Sequence, residues 1–587
     1  MNNGIKHIPE PKDTTKDELL NAIDSYINKI GWKNKFQYDE CDNYFTYDPT
    51  FKIPLQPFPN KDKNNNLKVL HDSLKRTVNY YDLKNPIQQK FDPTRTLQKY
   101  LLNHPEIKLV LSDKNLGLIA MNTTIYHSLV LSHLTKQEYS WICKNDRPLF
   151  FLKFHSTLKQ KFDSLLQYLQ RITDNPHIKR YLEYHQTKTK WTIPQFHNLI
   201  KLHKGTIELQ SRPIVGAVDW FTTPISKLLS KMLRAYLTTQ ETRHIASNTI
   251  DVVMDMNNWN FRFFKHGKRH QNYHLISLDI VNLYGNIKLN TLYELLRKHT
   301  NDDFVKLAKF VCDNNYFGYL SDIYKQDDGI AMGTNAAPEL ANFYLLHSID
   351  SILINLWNPN ITFTKRFLDD IFIIYEGTKE ECLYFISCLN TLKKDCNMEF
   401  TSKVGKQIEF LDLNIILTPE GLEYYTHQKK LNKYGYITPS SCHPHHTLSG
   451  FIKGELTRYS INSSKSYYYK ITKNLFYQRL LARGYKRTYL NSIFQSHIYS
   501  NRFNRKPDDK TEYTNLSIRF SRRQNLSRLK QSITLVSERI CKRFLSKPKI
   551  RITWLKSRNL YEILCRSSLS TKQQAYILSN SNEITPH

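Results

Sequence analysis

The sequence predicts a mixed α/β (α+β) fold, and three stretches of the 587-residue chain carry this prediction. On either side of an Asp-Asp pair at 369–370, the apolar runs 367–368 and 371–374 have the pattern of two short strands joined by a tight turn. A second β-like run, 275–280, contains a single acid near its end. Between these two regions, a glycine-bearing loop leads into an amphipathic helix that ends near residue 350.

The adjacent acids need a source of stabilisation. Two like charges about 4 Å apart repel by about 1 kcal/mol in water and by about 4 kcal/mol at an effective dielectric constant near 20. Asp369 and Asp370 therefore require cations or open solvent. A solvated turn explains the pair on its own, because acids are ordinary turn residues. A third acid, Asp279, after another predicted strand makes a shared cation site the stronger interpretation.

The N-terminal part of the chain is predicted to be mostly helical. Residues 1–66 are polar apart from one helical stretch near 17–30, and residues 67–105 are predicted to be helical. Residues 109–120 have the pattern of two strands around a polar turn, Asp-Lys-x-x-Gly. The pattern over 129–186 is helical and basic.

Two further strand-like pieces, 194–205 and 211–215, are joined by a turn. Alternation along them places Lys201, His203 and Arg212 on one polar face. The spacing of apolar residues then predicts a helix over 223–239, which is expected to serve as scaffold.

The composition predicts an acidic polymer as partner. The chain has 84 basic and 53 acidic side chains and a formal net charge of +31. No apolar run approaches the roughly 20 residues of a membrane-spanning helix, and residues 1–12 lack the apolar core of a signal peptide. We therefore expect an intracellular protein without a membrane partner. Basic clusters at 542–543 and 547–551 predict nuclear localisation.

Cysteine usage fits a reducing compartment. The nine cysteines include no Cys-x-x-Cys pair, which argues against a zinc ribbon or a disulfide framework. One cluster, Cys442, His443, His445 and His446, has the side chains of a zinc site. Its spacing is cramped and no second half is visible, so a packed loop is the favoured interpretation and metal binding stays open.

The order of the acidic motifs resembles the polymerase palm of reverse transcriptases, in which a strand with an Asp, a loop with a helix and an Asp-Asp hairpin follow one another. The sequences AMGTNAAP at 331–338, RFLDD at 366–370 and FLD at 410–412 resemble the reverse transcriptases of Penelope-like elements, relatives of telomerase. The Asp-Lys-x-x-Gly turn at 113–117 is similar to an element of the same family. The resemblance spans roughly residues 105–565.

This resemblance implies a right-hand polymerase fold, with an N-terminal extension, fingers, a palm of antiparallel sheet and helices, and a helical thumb. The implied function is that of an RNA-directed DNA polymerase, with an RNA template, a DNA primer and deoxynucleoside triphosphates as partners. The expected divisions are an extension at 1–105, the fingers with a preceding helical region at 106–270, the palm at 271–420, the thumb at 421–570 and a tail at 571–587.

The resemblance also implies catalysis with two Mg²⁺ ions, with Mn²⁺ as an alternative. Asp279 and Asp369 are expected to bridge both ions. Asp370 is expected to support the metal on the hydroxyl side, and the backbone carbonyl of Ile280 to ligate the metal on the triphosphate side. Magnesium prefers oxygen ligands and retains substrate phosphates among them, so few protein carboxylates suffice.

Five residues are expected to contact the nucleotide. Arg212 offers a planar fork for the triphosphate, and Lys201 assists it or touches the template. By resemblance, Tyr284 lies under the sugar and excludes a 2′ hydroxyl. Gln326 is expected to hold the nucleotide or template, and Gly333 to let the backbone approach the nascent base pair.

Basic side chains outside this set are expected to contact nucleic-acid phosphates. They are Lys204, Arg366, Arg458 and Arg483. Many members of the resembling family continue into a GIY-YIG endonuclease, and the sequence ends at His587, too soon for one. Nicking of target DNA is therefore not expected from this polypeptide.

Two alternatives to a Penelope-like enzyme stay open. One is a telomerase-like or intron-associated reverse transcriptase that copies one bound RNA. The other is a catalytically inactive polymerase fold that only binds nucleic acid. The retained acids Asp279, Asp369 and Asp370 weigh against the inactive fold.

Overall fold

The structure is a computed structural model. It describes residues 4–11, 13–38, 64–81, 83, 93–144, 148–188, 191–202, 209–265, 272–350, 359–391, 398–429, 432–504, 513–522, 524, 526–544, 549–565 and 568–580. The fold is mixed α/β with antiparallel sheets, which confirms the predicted class.

Sixteen strands are described in chain order. They are β1 (Ile107–Leu111), β2 (Leu118–Asn122), β3 (Tyr139–Lys144), β4 (Phe196–Ile200), β5 (Ser211–Val215), β6 (Tyr273–Ile280), β7 (Tyr316–Tyr319), β8 (Asp322–Gln326), β9 (Ile361–Phe367), β10 (Asp370–Glu376), β11 (Phe400–Gly405), β12 (Gln407–Phe410), β13 (Leu413–Thr418), β14 (Gly421–Thr426), β15 (Tyr513–Arg519) and β16 (Lys549–Leu555).

The helices within the described residues are likewise numbered in chain order. They are α1 (Lys16–Tyr38), α2 (Asn65–Tyr80), α3 (Pro93–Asn103), α4 (Thr123–Leu134), α5 (Pro148–Ile172), α6 (Pro176–Gln186), α7 (Thr223–Thr239), α8 (Thr249–Lys265), α9 (Leu283–Asn286), α10 (Leu289–His299), α11 (Asp302–Asp313), α12 (Ala337–Leu345), α13 (Lys379–Thr391), α14 (His445–Ile461), α15 (Ser466–Ala482), α16 (Arg487–Ser496), α17 (Ser527–Cys541), α18 (Leu560–Leu564) and α19 (Thr571–Asn580).

A four-stranded antiparallel sheet, the palm sheet, forms the centre of the molecule, with strand order β11-β6-β10-β9. Ile371 and Ile373 belong to one hydrophobic cluster, and their neighbours Phe372 and Ile374 to another. Because successive side chains of a strand point to opposite faces, both faces of the palm sheet are covered. This explains why the run 371–374 is apolar throughout rather than alternating.

The region before the palm contains one strand that the sequence pattern missed. Residues 129–186 were expected to be helical, but Tyr139–Lys144 forms β3 and pairs with β8. The partner strand lies about 180 residues downstream, so no local pattern indicates the pairing. The predicted strands at 194–215 form the antiparallel pair of β4 and β5.

Three helices of the expected thumb, α14, α15 and α16, share their own core. Ile452, Phe476 and Leu490, one from each helix, are completely buried in it. The neighbouring sheet of β12, β13 and β14 packs against the palm and joins the two regions.

Two hydrophobic clusters cross the expected domain boundaries. Buried residues of α1 and α2 pack with residues of β15, α17 and β16, far away in sequence. The expected tail also contains helix α19, whose Ile577 is buried in one cluster with Tyr126 of α4. The chain ends are therefore integrated into the described structure rather than appended to it.

Candidate active site

Three acids meet at one end of the palm sheet. Asp279 near the end of β6 lies directly opposite Asp370 at the start of β10 in the antiparallel register. The backbone N–H of Ile280 donates to the carbonyl of Asp369 at 3.0 Å, so the turn between β9 and β10 is bonded to the same strand end. Leu368 adopts a left-handed conformation with φ of 53°, which tightens this turn.

The electrostatics of the three acids are unfavourable without a cation. Burial, together with the neighbouring charges of Asp369 and Asp279, raises the pKa of Asp370 to about 6. Lys114 and Lys429 oppose this shift and lower the pKa of Asp370. A bound cation would stabilise the ionised form of Asp370, because its positive charge offsets the repulsion from Asp369 and Asp279.

The donor set fits Mg²⁺ as far as the protein supplies it. The three side chains offer carboxylate oxygens, the ligands that Mg²⁺ prefers. Over the described ranges, no group of three or more His, Cys, Asp and Glu side chains is arranged to hold a metal ion by itself.

Tyr284 lies between the acids and the fingers. It belongs to the short helix α9, and its carbonyl accepts a hydrogen bond of 2.8 Å from the N–H of Ile330. Burial and, to a smaller extent, the charges of Asp369 and Glu339 raise the pKa of Tyr284 to about 12, while the charge of Arg212 opposes this shift. The charges of Asp369 and Arg212 therefore both act on the Tyr284 phenol, with opposite effects on its pKa.

Of the predicted fingers cations, Arg212 faces the site. Its side chain on β5 is 41% exposed, and Nη2 lies 3.6 Å from the Asp113 carboxylate. Lys201 follows β4 and lies near His133, where its charge joins burial and Lys136 in lowering the pKa of His133 to about 4. Lys204 lies outside the described residues.

Gln326 does not have the predicted role in nucleotide binding. Its side chain is buried, Nε2 donates to the Asp328 carbonyl at 3.0 Å, and Oε1 accepts from Asn315 Nδ2 at 3.3 Å. Both polar groups of the amide are used inside the protein. The residue therefore stabilises the turn after β8 instead of contacting a ligand.

Gly333 has a structural reason to be glycine. Its φ is 118°, and a Cβ atom there would lie 2.4 Å from the carbonyl oxygen of Val215. The N–H of Val215 donates to the Met332 carbonyl at 2.9 Å, so the loop packs directly on β5. The close approach to the β5 backbone requires a glycine here, and the expected approach of Gly333 to the nascent base pair stays a prediction.

Arg366 is fully buried and does not reach nucleic acid, contrary to the prediction. Its Nε and Nη2 donate to the two carboxylate oxygens of Asp350 at 2.7 and 2.6 Å. Nη1 donates to Asn342 Oδ1 at 2.8 Å and to the Leu368 carbonyl at 3.3 Å. The guanidinium thus braces the turn that carries Asp369 from inside the palm.

The two thumb arginines also bind within the protein. Arg458 donates to Asp412 at 2.9 Å and to Glu455 at 2.7 Å, which neutralises its charge. Arg483 donates from Nε and Nη2 to the Tyr436 carbonyl at 3.0 and 2.8 Å. These contacts connect thumb segments. Both side chains are only partly buried, and their phosphate contacts stay a prediction.

The cysteine–histidine cluster is a packed loop in the structure. His443 Nδ1 lies 2.8 Å from Ser441 Oγ, and the N–H of Cys442 donates to the Ile8 carbonyl at 2.8 Å. Burial lowers the pKa of His443 and raises the pKa of Cys442 to about 12. The loop therefore fastens the N-terminal segment to the thumb.

Three charged residues near the acids were not among the predicted site residues. Lys114 and Lys429 act on Asp370, and Glu339 acts on Tyr284. Of the three, only Lys114 belongs to a sequence motif, the Asp-Lys-x-x-Gly turn. The residues of that motif alone indicate a hairpin turn and no role in the site. The approach of these charges to the acids depends on contacts between distant segments.

Comparison with known proteins supplies the enzyme class. Residues 203–407 match the family model of reverse transcriptases (RNA-dependent DNA polymerases), and this span includes Arg212 and the three acids. No curated protein matches the chain.

Two solved telomerase structures are similar to the fold at low sequence identity. The telomerase of Candida albicans in complex with a TWJ fragment of telomeric RNA is 10% identical, with a TM-score of 0.45 over 75% of this chain and 70% of that chain. The apo telomerase of Candida tropicalis is 10% identical, with a TM-score of 0.41 over 96% of this chain and 95% of that chain. On the family match, residues 203–407 form a reverse transcriptase domain, and the protein is an RNA-directed DNA polymerase, a nucleotidyltransferase.

Proposed function

We propose that this protein is the reverse transcriptase of a Penelope-like element, which extends a DNA 3′ end on an RNA template with deoxynucleotides. The observation that carries the catalytic proposal is the register of the palm sheet, in which Asp279 and Asp370 are direct partners and Asp369 is bonded to the same strand end. The motifs at 331–338, 366–370 and 410–412 support the Penelope-like origin.

In this proposal Asp279 and Asp369 hold two Mg²⁺ ions, and Asp370 and the Ile280 carbonyl assist. Bound Mg²⁺ lowers the pKa of the primer hydroxyl and offsets charge on the entering and leaving oxygens. Arg212 orients the triphosphate from the fingers side, where its exposed guanidinium is free of a close ion pair apart from Asp113 among the described residues. In this proposal the ring of Tyr284 lies under the sugar and excludes a 2′ hydroxyl.

Primer extension tests the proposal. The full-length protein is incubated with Mg²⁺, deoxynucleotides and a DNA primer annealed to RNA, and we expect template-dependent extension. Asp369→Asn is expected to reduce the rate at least about a hundredfold, because a metal ion contributes several kcal/mol to the transition state. The matched control is Asp302→Asn, an exposed acid in the first turn of α11. Equal activity of wild type and Asp369→Asn would contradict the assigned site.

The same assay separates the proposal from a telomerase-like enzyme. A Penelope-like enzyme is expected to copy an added RNA of arbitrary sequence after nuclease treatment of the preparation. An enzyme that copies one bound RNA would lose activity on that treatment and ignore the added template.

Tyr284 is expected to set the sugar selectivity. Replacing the ring with a small side chain, Tyr284→Val, removes the bulk under the sugar, so kcat/KM for ribonucleotides should rise about tenfold or more relative to deoxynucleotides. The measurement is single-nucleotide incorporation with each nucleotide type. Tyr284→Phe keeps the ring and is the control, which should retain the wild-type preference. Loss of selectivity in the Phe variant would exclude a steric gate.

A further inference from the structure

A tight turn outside the matched span 203–407 contacts Arg212, the predicted triphosphate ligand on β5. It connects β1 and β2 and contains the short 3₁₀ helix Asp113–Asn115. The N–H and the hydroxyl of Ser112 both donate to the Gly117 carbonyl, at 3.0 and 2.9 Å, which closes the turn. The turn is therefore a fixed element.

Lys114 has a strained backbone at the tip of this turn. Its φ and ψ are 60° and 25°, in the left-handed region that L-residues other than Asn and Asp rarely adopt. Such strain costs of order 1 kcal/mol or more, and it is found most often at functional positions. The conformation presents an exposed lysine side chain where a glycine would be unstrained.

Asp113 ties the turn to the fingers. Its side chain is 6% exposed, and Oδ1 accepts the N–H of Lys114 at 3.0 Å. Oδ2 is buried, lacks a hydrogen-bond partner and lies 3.6 Å from Arg212 Nη2. One buried carboxylate thus contacts both the backbone of Lys114 and the guanidinium of Arg212, and it sets their positions relative to each other.

The turn that carries Lys114 lies against the two strands β4 and β5. Ser112 pairs with Ile200 of β4, and the Asp113 carboxylate contacts Arg212 of β5, so Lys114 lies one residue from the group that holds Arg212. Lys114 forms no ion pair with any carboxylate that the structure describes. Among the described lysines, Lys114 is the one whose backbone is bonded to the carboxylate that contacts Arg212.

We propose that Lys114 binds the triphosphate of the incoming nucleotide and the pyrophosphate product, as a second cation beside Arg212. The inference rests on the proposed function. It adds a triphosphate-binding residue that lies outside the span matched by the reverse transcriptase family model. A triphosphate next to three acids needs positive charge from the opposite side. Arginine supplies a planar fork for it and lysine a compact charge that can follow the departing pyrophosphate.

Nucleotide binding without chemistry tests this assignment. Full-length protein is bound to an RNA template with a dideoxy-terminated DNA primer in Mg²⁺, and the Kd of the next correct deoxynucleotide is measured. Lys114→Gln is expected to raise this Kd about ten- to a hundredfold, the range of one charged hydrogen bond. Lys114→Arg retains the charge and should stay within about threefold of wild type. The matched control is Lys379→Gln, an exposed lysine at the start of α13, which should change nothing.

Two further readouts make the test specific. The inhibition constant of pyrophosphate in primer extension should rise in Lys114→Gln together with the nucleotide Kd. The Kd of the primer–template itself should change less than about twofold, and thermal unfolding should show that the variant is folded.

The outcomes decide between the possibilities. Weaker primer–template binding with an unchanged nucleotide Kd would make Lys114 a nucleic-acid contact and overturn the proposal, as would no change in either constant. If the wild type binds nucleotide through Lys114 but extends nothing, the catalytic function fails while the Lys114 site stands. A wild type that binds no nucleotide overturns both.

Discussion

At the scale of single residues, Asp370 shows a conflict between folding and function. In the metal-free protein its carboxyl is partly buried beside two other acids, and its pKa rises to about 6 from a usual value of 3.8. At neutral pH, ionisation of this carboxyl therefore costs more free energy in the folded protein than in the unfolded chain. Holding the three acids together lowers the free energy of unfolding by this difference.

We expect Asp370→Asn to stabilise the metal-free protein at pH 7.5. Because the folded pKa of Asp370 lies above the unfolded one, its stabilising contribution is complete below about pH 4 and is lost as the pH rises through 6. The amide removes this loss, so the free energy of unfolding should increase on the order of 2 kcal/mol at pH 7.5 and by less at pH 5.

Denaturant titrations with a chelator at the two pH values measure this difference. Asp302→Asn is the control and should stay within about 0.5 kcal/mol at both. A gain that is equal at pH 5 and pH 7.5 would show that the charge of Asp370 is not its cause. Primer extension by Asp370→Asn should fall in spite of the added stability.

At the scale of elements, a buried polar group fixes the hairpin of β9 and β10. Arg366 connects Asp350 in the π-helical turn after α12 with the Leu368 carbonyl in the hairpin turn. His244 Nε2 lies 2.7 Å from Asp350 Oδ2 on the other side of the carboxylate. The backbone of Arg366 also bonds to that of His244 and Ala246, so three segments meet behind the acids.

We expect Arg366→Met to destabilise the protein by about 3–5 kcal/mol, since it leaves the Asp350 charge buried without its main partner. The double variant Arg366→Met with Asp350→Leu removes both charges and should recover much of the stability but not the rate of extension, because the Leu368 carbonyl stays unbraced. Chemical denaturation and primer extension of both variants measure this. Full activity of a stable double variant would show that the brace serves folding alone.

At the scale of the whole molecule, the helices α1 and α2 form one core with β15, α17 and β16. Helices α1 and α2 contribute Leu19, Ile23 and Leu74 to the cluster that contains Leu516 and Ile552 from the parallel pair of β15 and β16. The helices α1 and α2 therefore depend on this C-terminal segment for burial of their apolar faces.

No helix in the described ranges has the length and apolar character of a membrane span.

We expect Leu74→Ala to loosen β15 and α17, more than 400 residues away in sequence. Leu74 is completely buried, so the truncation should cost about 2–5 kcal/mol locally. Hydrogen exchange should increase in β15 and α17 but not in β6 and β10 of the palm. The matched control is Leu535→Ala in α17, where the leucine is 67% exposed and the exchange should not change. An increase confined to α2 would contradict the shared core.

Some parts of the candidate site can be predicted from the local sequence pattern, and others cannot. The strands β6, β9 and β10 and the helix α12 follow from apolar runs and turn residues, and the match of 203–407 agrees with the enzyme class drawn from the motifs. Arg366 could not be assigned in this way. It stands beside the acids in sequence, and only its burial against Asp350 shows that its charge points into the protein.

The sequence by itself determined the local elements around the acids, the basic character of the chain and the class of enzyme, because these depend on neighbouring residues and short motifs. The tertiary structure decided that Gln326 and Arg458 are engaged internally, that Lys114 lies beside Arg212 and that α1 and α2 share a core with β15, α17 and β16. The physical reason is that a side chain's partner and exposure are set by which distant segments pack on it, and periodicity along the chain contains no information about that packing.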